Sequence, residues 1–527
     1  MKPTALALSL ASSLLAASLL SGCAAEGGDP GETECEGDKC DDLDKPDSEV
    51  PDSPCDGIMV DKSGRGHEKV AGRLHDPLAT AVLQAGDDCP VTFQTIVAKL
   101  QKNDAQDCQN TNGMLTRAIS ETAQLAGKGT SYRTVTSRTC GGRDNHGLLF
   151  SLFGVTSTTK TLPKNVEMIA FDATAGVFNY YETDGQTLNF FGNSTDMLKG
   201  KGDDDDRRCA GCHVGGGLIM KELRAPWLHW EGDTTTPGAD TLVKGNALLG
   251  TKSNGIELEG TVDSANSIWN PKRIDFMKKV GDTKELLRPL FCTPEIQIGS
   301  GGPGDVSSVP GDLLLDPVLN NFPSLSFDNA DYKALIADNG QEVAGTGKAD
   351  TFFPFAFPHR SSIDADYVQQ LISKRVVSQE FVKDVLSVDF TRPIFSEDRC
   401  SLLEFVPSIP SSSLSGKALS EGMIANIGTP PAGSPAAELV AQFKSTGGWE
   451  SRVSTFTAAC EARPPKELLA DILKITSLLR DQARERQVIE FEESMPDDNQ
   501  SVAEGTRLHP VTCTITSDFV PVRAAGE

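Results

Sequence analysis

The sequence predicts an α+β protein with a helical N-terminal segment, an antiparallel β meander and a mixed, mainly helical C-terminal half. Apolar residues recur at helical spacing between residues 57 and 130. Short runs rich in β-branched and aromatic residues, separated by turn residues, fill 131–192 and predict the meander. Helical patterns return near 364–385, 436–445 and 465–485.

Length and charge limit the function classes. The 527 residues suffice for two to four domains of roughly 150 residues each. Hydrophobic residues make up 38% of the chain, enough for a sizeable core. The net charge of −25 repels phosphate backbones, so nucleic acid is not expected as a partner, whereas a basic protein partner is compatible with this surface.

The N-terminus has the pattern of an export signal. Lys2 precedes an apolar run from Ala5 to Leu20, so we interpret residues 1–22 as a signal peptide. The run ends in Leu-Ser-Gly followed by Cys23, which resembles the lipobox of bacterial lipoproteins. The resemblance implies that Cys23 is acylated and anchors the chain to a membrane of the cell envelope. Ala24 after the cysteine favours the outer membrane in that family.

Residues 23–56 are acidic, rich in Gly and Pro, and almost devoid of large apolar side chains. Such a segment cannot bury enough surface to fold alone, so it is predicted to be a flexible tether.

The folded part is expected to comprise a region at 57–298 and a mainly helical region at 312–527, separated by a Gly/Pro-rich loop. Within 57–130, Leu115 and Ile119 continue the helical spacing. A further helix is expected to begin around Trp269 and to end near Leu287, because Pro289 follows.

Directly after the meander, residues 207–217 contain the spacing Cys209-x-x-Cys212-His213 and a run of three glycines. Two cysteines three residues apart lie on one side of a helical turn, where both can react with the vinyl groups of a haem. The pattern resembles the attachment motif of c-type cytochromes. The resemblance implies one haem c, held covalently by Cys209 and Cys212, with His213 as axial iron ligand.

Two other interpretations of the motif have weaker support. A thioredoxin-like redox pair would need a βαβ context, and a zinc site would need a second pair of Cys or His ligands. Neither pattern is evident in the sequence. The glycines either let the backbone approach a haem closely or form a turn after the motif.

The sixth iron ligand stays open at the level of sequence. Met220 and His229 are the main candidates, and Met277 is a third, inside a predicted helix. Small c-type cytochromes usually place a distal Met on a Pro-rich loop well after the motif, which this chain lacks. Another ligand or an open coordination site is the remaining alternative.

The chain has 13 cysteines, and removing Cys23, Cys209 and Cys212 leaves ten. An even remainder in an exported chain predicts a disulfide framework of up to five bridges, whose connectivity the sequence does not specify. Cys89 and Cys108 are the one pair we predict, because they flank an expected helix at 93–102.

The favoured function is electron transfer by one haem c with a redox partner protein. A basic partner would be attracted by the acidic surface of this chain. The first alternative is a five-coordinate haem oxidoreductase acting on a small molecule such as hydroxylamine or peroxide. The second is a structural lipoprotein of the envelope. Hydrolase, nucleotide-binding and zincin motifs are not found in the sequence.

Overall fold

A computed structural model describes about three fifths of the chain, beginning at residue 58. The described residues are 58–60, 66–69, 73–83, 92–102, 113–120, 131–138, 148–156, 161–199, 209, 213, 215–218, 239–253, 255–293, 296–300, 308–309, 311–326, 342–343, 348–349, 356–360, 362–446, 448–487, 503 and 505–520. The predicted signal peptide, Cys23 and the predicted tether lie outside them, as do Cys89 and Cys108.

A mixed sheet of nine strands forms the centre of the N-terminal half, in the order β2-β1-β8-β7-β6-β5-β4-β3-β9. Strands β3 to β8 are six consecutive antiparallel neighbours, whereas β1 joins β8 and β9 joins β3 in parallel. The strands are β1 Ile58–Val60, β2 Gly66–Lys69, β3 Met114–Ser120, β4 Ser131–Arg138, β5 Leu148–Thr156, β6 Val166–Asp172, β7 Val177–Thr183, β8 Leu188–Asn193 and β9 Thr251–Lys252.

Both faces of this sheet are buried. In β6, Val166, Met168 and Ala170 face one apolar cluster, while Ile169 and Phe171 face another. Because successive side chains of a strand point to opposite faces, a strand covered on both sides needs apolar residues at adjacent positions. This requirement explains why the sequence between 131 and 192 shows continuous apolar runs.

The helices cover the sheet and build the C-terminal half. The α-helices are α1 Phe93–Lys102, α2 Ser194–Lys199, α3 Ala239–Gly245, α4 Gly255–Val280, α5 Thr283–Phe291, α6 Ser362–Ser373, α7 Gln379–Ser387, α8 Glu397–Ser401, α9 Gly416–Ile427, α10 Pro435–Phe443, α11 Trp449–Glu461 and α12 Pro465–Gln487. A π-helical turn occupies Ala79–Leu83, and 3₁₀ turns occupy Ala247–Leu249, Gly311–Leu313 and Leu402–Phe405. The shorter strands are β10 Ile296–Ser300, β11 Ser308–Val309, β12 Leu325–Ser326, β13 Glu342–Val343, β14 Lys348–Ala349, β15 Ala356–Arg360, β16 Arg507–Leu508 and β17 Ile515–Thr516.

The predicted mixture of helices and sheet is confirmed, but the boundary between them is not where the sequence placed it. The segment 57–130, predicted to be helical, contains three strands besides the helix α1. Strand β3 includes Leu115 and Ile119, which were assigned to a helix. A separation of four residues places side chains on one face of a helix and also on one face of a strand, so this spacing did not distinguish the two.

The helix predicted from Trp269 to Leu287 is instead the end of α4 and most of α5. Both helices contain a proline, Pro271 in α4 and Pro289 in α5. The break falls at Gly281, which has φ +81°, and at Asp282, whose side chain caps α5 by accepting a hydrogen bond from the Glu285 N–H at 2.9 Å. Tertiary packing therefore outweighs the tendency of proline to mark the beginning or the end of a helix.

Two disulfides stabilise the C-terminal half. Cys292 pairs with Cys400 and Cys460 pairs with Cys513, and three of these cysteines are fully buried in the C-terminal apolar core. Of the ten cysteines that the sequence assigned to disulfides, these four lie in the described part of the chain, and all four are paired. Within the described part of the chain, no helix is long and apolar enough to cross a bilayer.

Candidate functional site

The two described residues of the motif, Cys209 and His213, are joined by a backbone hydrogen bond. The His213 N–H donates to the Cys209 carbonyl at 2.9 Å, which is the i to i−4 bond of an α-helix. The Gly216 N–H then donates to the His213 carbonyl at 2.8 Å, so the chain turns again directly after the histidine. Cys212 lies outside the described residues. This hydrogen bond brings the backbone of His213 next to that of Cys209.

The imidazole of His213 is oriented by a backbone carbonyl. Its Nδ1 lies 2.9 Å from the carbonyl oxygen of Gly217. A carbonyl oxygen can only accept a hydrogen bond, so Nδ1 carries the proton and, in the neutral ring, Nε2 carries the lone pair. Metal-bound histidines are commonly held in this way, with one ring nitrogen donating to a carbonyl while the other binds the metal.

Tyr180, on strand β7, supports the same arrangement from the sheet. Its ring centroid is 5.0 Å from that of His213, and its hydroxyl donates to the Gly217 carbonyl at 3.2 Å. Tyr180 is 1% exposed. Its strand meets β8 at a bulge, where Tyr181 pairs with Phe190 and Tyr180 pairs with Gly192. Bulges often occur beside functional sites, since they redirect side chains locally.

Helix α4 holds the other side of the segment 215–218. The Asn266 side chain accepts from the Leu218 N–H at 3.0 Å and donates to the Leu218 carbonyl at 2.8 Å. The indole N–H of Trp269 donates to the Gly215 carbonyl at 2.9 Å. Asn266 and Trp269 are both buried, which strengthens the preference for paired polar groups. The glycine run is therefore clamped between sheet and helix.

Two of the three glycines are required by packing. Gly216 has φ +69°, and a Cβ there would lie 2.4 Å from the Ser194 carbonyl oxygen. A Cβ on Gly217 would lie 2.4 Å from Ile363 Cδ1 and 2.5 Å from Asn266 Oδ1. These glycines thus allow the backbone to approach Ser194, Ile363 and Asn266 closely. The segment is a packed turn.

A buried carboxylate anchors strand β7 from the opposite face of the sheet. Asp76 accepts from the Leu78 and Ala79 N–H groups at 2.8 and 2.9 Å, and from Asn179 Nδ2 at 2.7 Å and the Tyr181 hydroxyl. Burial raises the pKa of Asp76, although these four hydrogen bonds oppose the shift. The strand that carries Tyr180 is therefore fixed on both faces.

The remaining predicted ligands separate into those the structure describes and those it does not. Cys209 is half-buried, contacts the apolar cluster that contains Phe178 and Trp269, and takes part in neither described disulfide. Met220 and His229 lie outside the described residues. Met277 was the third candidate for the sixth ligand. It packs in the C-terminal core, about 12 Å along α4 from Trp269 at 1.5 Å per residue.

Tyr180, Asn266 and Trp269 were not identified from the sequence as site residues. They bond to the segment 215–218 across sequence separations of 37, 48 and 54 residues. No local spacing rule connects residues that far apart.

Comparison with known proteins gives no family for this chain. Family models, curated proteins and solved structures all yield no match. Among the described residues, no group of three or more His, Cys, Asp and Glu side chains could hold a metal ion.

Proposed function

We propose that this chain is an exported, lipid-anchored, monohaem c-type cytochrome that acts in electron transfer. The observation that carries the proposal is the position of His213. Its N–H donates to the Cys209 carbonyl, and its Nδ1 donates to the Gly217 carbonyl, which would leave Nε2 to ligate the iron.

The described residues fit the proximal side of a haem c. Cys209 and Cys212 would form the thioether bonds, and His213 Nε2 would bind the iron. A bound haem supplies one-electron exchange. The protein contributes the orientation and basicity of the imidazole, because a hydrogen bond from Nδ1 to a carbonyl increases the electron density at Nε2. Tyr180 and Trp269 prevent the 213–217 segment from shifting.

Covalent haem is tested by denaturing gel electrophoresis with haem peroxidase staining. The wild-type band should stain, and Cys209→Ala with Cys212→Ala should remove the stain. A stained band in the double variant would contradict the assignment of the motif.

Axial ligation is tested by the visible spectra of His213→Ala and of a matched control, His509→Ala. His509 lies far along the chain, in the tight turn that ends at Cys513. His213→Ala should change the Soret band and spin state, whereas His509→Ala should leave both as in the wild type. Equal spectra for all three proteins would exclude His213 as the ligand.

Electron transfer predicts a six-coordinate, low-spin iron, with Met220 or His229 as the proposed sixth ligand. Carbon monoxide should then bind the ferrous protein slowly, since a protein ligand must leave first. Met220→Ala and His229→Ala, measured separately, identify which residue is displaced. Immediate binding of carbon monoxide by the wild type would instead favour the five-coordinate oxidoreductase. Absence of haem would leave the structural lipoprotein.

Membrane attachment is proposed to depend on Cys23, and partner binding on the acidic surface. Cys23→Ala should release the protein from outer-membrane fractions. The rate of electron exchange with a basic redox protein should fall as ionic strength rises, because salt screens the attraction of a chain with net charge −25. A rate independent of salt would contradict electrostatic docking.

A further inference from the structure

The carbonyl of Gly217 is shared by two side chains, those of His213 and Tyr180. The Nδ1 of His213 lies 2.9 Å from this oxygen, and the Tyr180 hydroxyl lies 3.2 Å from it. Because a carbonyl oxygen only accepts hydrogen bonds, both groups donate to it, and its two lone pairs can serve both donors at once. A second donor withdraws electron density from the oxygen, so each of the two hydrogen bonds is weaker than it would be alone.

The peptide unit that carries this carbonyl is held in one orientation. The N–H of Leu218 belongs to the same planar unit, and it donates to Asn266 Oδ1 at 3.0 Å. The backbone at Gly217 is also closely packed, since a Cβ there would lie 2.4 Å from Ile363 Cδ1. The carbonyl therefore cannot turn away from Tyr180 to strengthen its hydrogen bond with His213.

Tyr180 is held in place as firmly as the carbonyl. Its side chain is 1% exposed, so bulk water has little access to the hydroxyl. Its ring lies beside the imidazole of His213, with the two centroids 5.0 Å apart. The next residue of the strand, Tyr181, packs in the apolar cluster on the other face of the sheet and donates to the buried carboxylate of Asp76. The fold thus fixes the distance between the Tyr180 hydroxyl and the carbonyl.

Sharing of the carbonyl affects the basicity of His213. A strong hydrogen bond from Nδ1 increases the electron density at Nε2, the nitrogen proposed to bind the iron, and a more basic ligand stabilises ferric iron relative to ferrous iron. Tyr180 takes up part of the acceptor strength of the Gly217 carbonyl, so it limits this increase. Its hydroxyl therefore favours a higher reduction potential.

We propose that Tyr180 is a positioning residue that raises the reduction potential of the haem by sharing the Gly217 carbonyl with His213 Nδ1. The proposal rests on the haem assignment above, and it adds that a residue of strand β7 sets the potential at which the protein exchanges electrons.

Redox titration of the full-length protein, followed by its visible spectrum, tests the proposal. Tyr180→Phe removes only the hydroxyl and keeps the ring beside His213. The midpoint potential should fall, changing the equilibrium constant for electron exchange with a fixed mediator at least about threefold, or about 28 mV at about 59 mV per tenfold change. An unchanged or higher potential would overturn the proposal, since loss of a buried polar group alone favours the less charged ferrous state.

Tyr367→Phe is the matched control. Tyr367 is also fully buried, and its hydroxyl donates to a backbone carbonyl, that of Leu286, at 3.0 Å. The potential of this variant should equal that of the wild type. A shift as large as that of Tyr180→Phe would assign the effect to the loss of any buried hydroxyl and would contradict the proposal.

Incorporation of 3-fluorotyrosine at position 180 reverses the perturbation. Its phenol is more acidic and therefore a stronger donor, so the potential should rise above that of the wild type, and a fall or no change would count against the proposal. This protein decides alone if Tyr180→Phe does not fold, as judged by circular dichroism. Wild-type protein without haem would refute the proposed function together with this inference, whereas haem-loaded proteins with equal potentials would refute this inference only.

Discussion

Alanine at Gly216 should destabilise the protein by about 3 kcal/mol. The left-handed backbone at φ +69° costs a non-glycine residue about 1–2 kcal/mol. The new Cβ would also lie 2.4 Å from the carbonyl oxygen of Ser194, a backbone atom that no side-chain rotation can move. Overpacking of this kind costs typically about 1–3 kcal/mol. The two contributions together lead to the expected value.

Gly260 provides a matched control. It lies in helix α4, it is exposed, and a Cβ there would meet no atom within 4 Å. Gly260→Ala should be neutral or should stabilise the protein by about 0.5–1 kcal/mol, because alanine is the better helix former. The two variants make the same chemical change, so their difference measures the local packing.

Urea unfolding followed by tryptophan fluorescence measures both variants, with the midpoint and slope compared against the wild type. If His213 holds the proposed haem, Gly216→Ala should also alter its visible spectrum, because the Gly216 N–H donates to the carbonyl of His213. If the two variants unfold within about 0.5 kcal/mol of each other, the packing argument for the glycine run is refuted.

Three further perturbations test other parts of the structure. Asn266→Ala should cost about 2–4 kcal/mol in a urea titration, since it leaves the N–H and carbonyl of Leu218 without their partner; a cost below about 1 kcal/mol would contradict the two-point clamp. Burial and two neighbouring glutamates raise the pKa of Asp384 to about 6. The folded state thus favours the protonated acid. The contribution of Asp384 to the free energy of unfolding is fully present below its unfolded pKa of 3.8, and it is lost as the pH rises through about 6. Asp384→Asn should be more stable than the wild type by about 1 kcal/mol at pH 7.5, after discounting for solvent screening, and the gain should shrink toward pH 4.5; a gain equal at both pH values would contradict it. Replacing Cys460 and Cys513 by serine should lower the free energy of unfolding by about 4 kcal/mol for a separation of 53 residues, and an unchanged thermal midpoint would argue against the bond.

The helices of the C-terminal half illustrate what local sequence can predict. The helices expected near 436–445 and 465–485 are present at Pro435–Phe443 and Pro465–Gln487. In the first, Ser434 accepts from the Ala437 N–H and a proline occupies the first turn, both of which are local start signals. Strand β3 shows the limit of such signals, because its spacing of apolar residues fits either a helix or a strand.

The sequence by itself predicted a helical turn at Cys209, and the hydrogen bond from the His213 N–H to the Cys209 carbonyl has the four-residue span of such a turn. Only the tertiary structure decided what surrounds that turn. Tyr180 reaches it from the sheet, and Asn266 and Trp269 reach it from α4, through contacts that depend on how sheet and helix pack. Disulfide pairing was undetermined for the same reason, since Cys292 meets Cys400 across 108 residues. Periodicity and capping report on neighbours within one helical turn or strand pair, whereas burial of both sheet faces brings together residues distant in the chain.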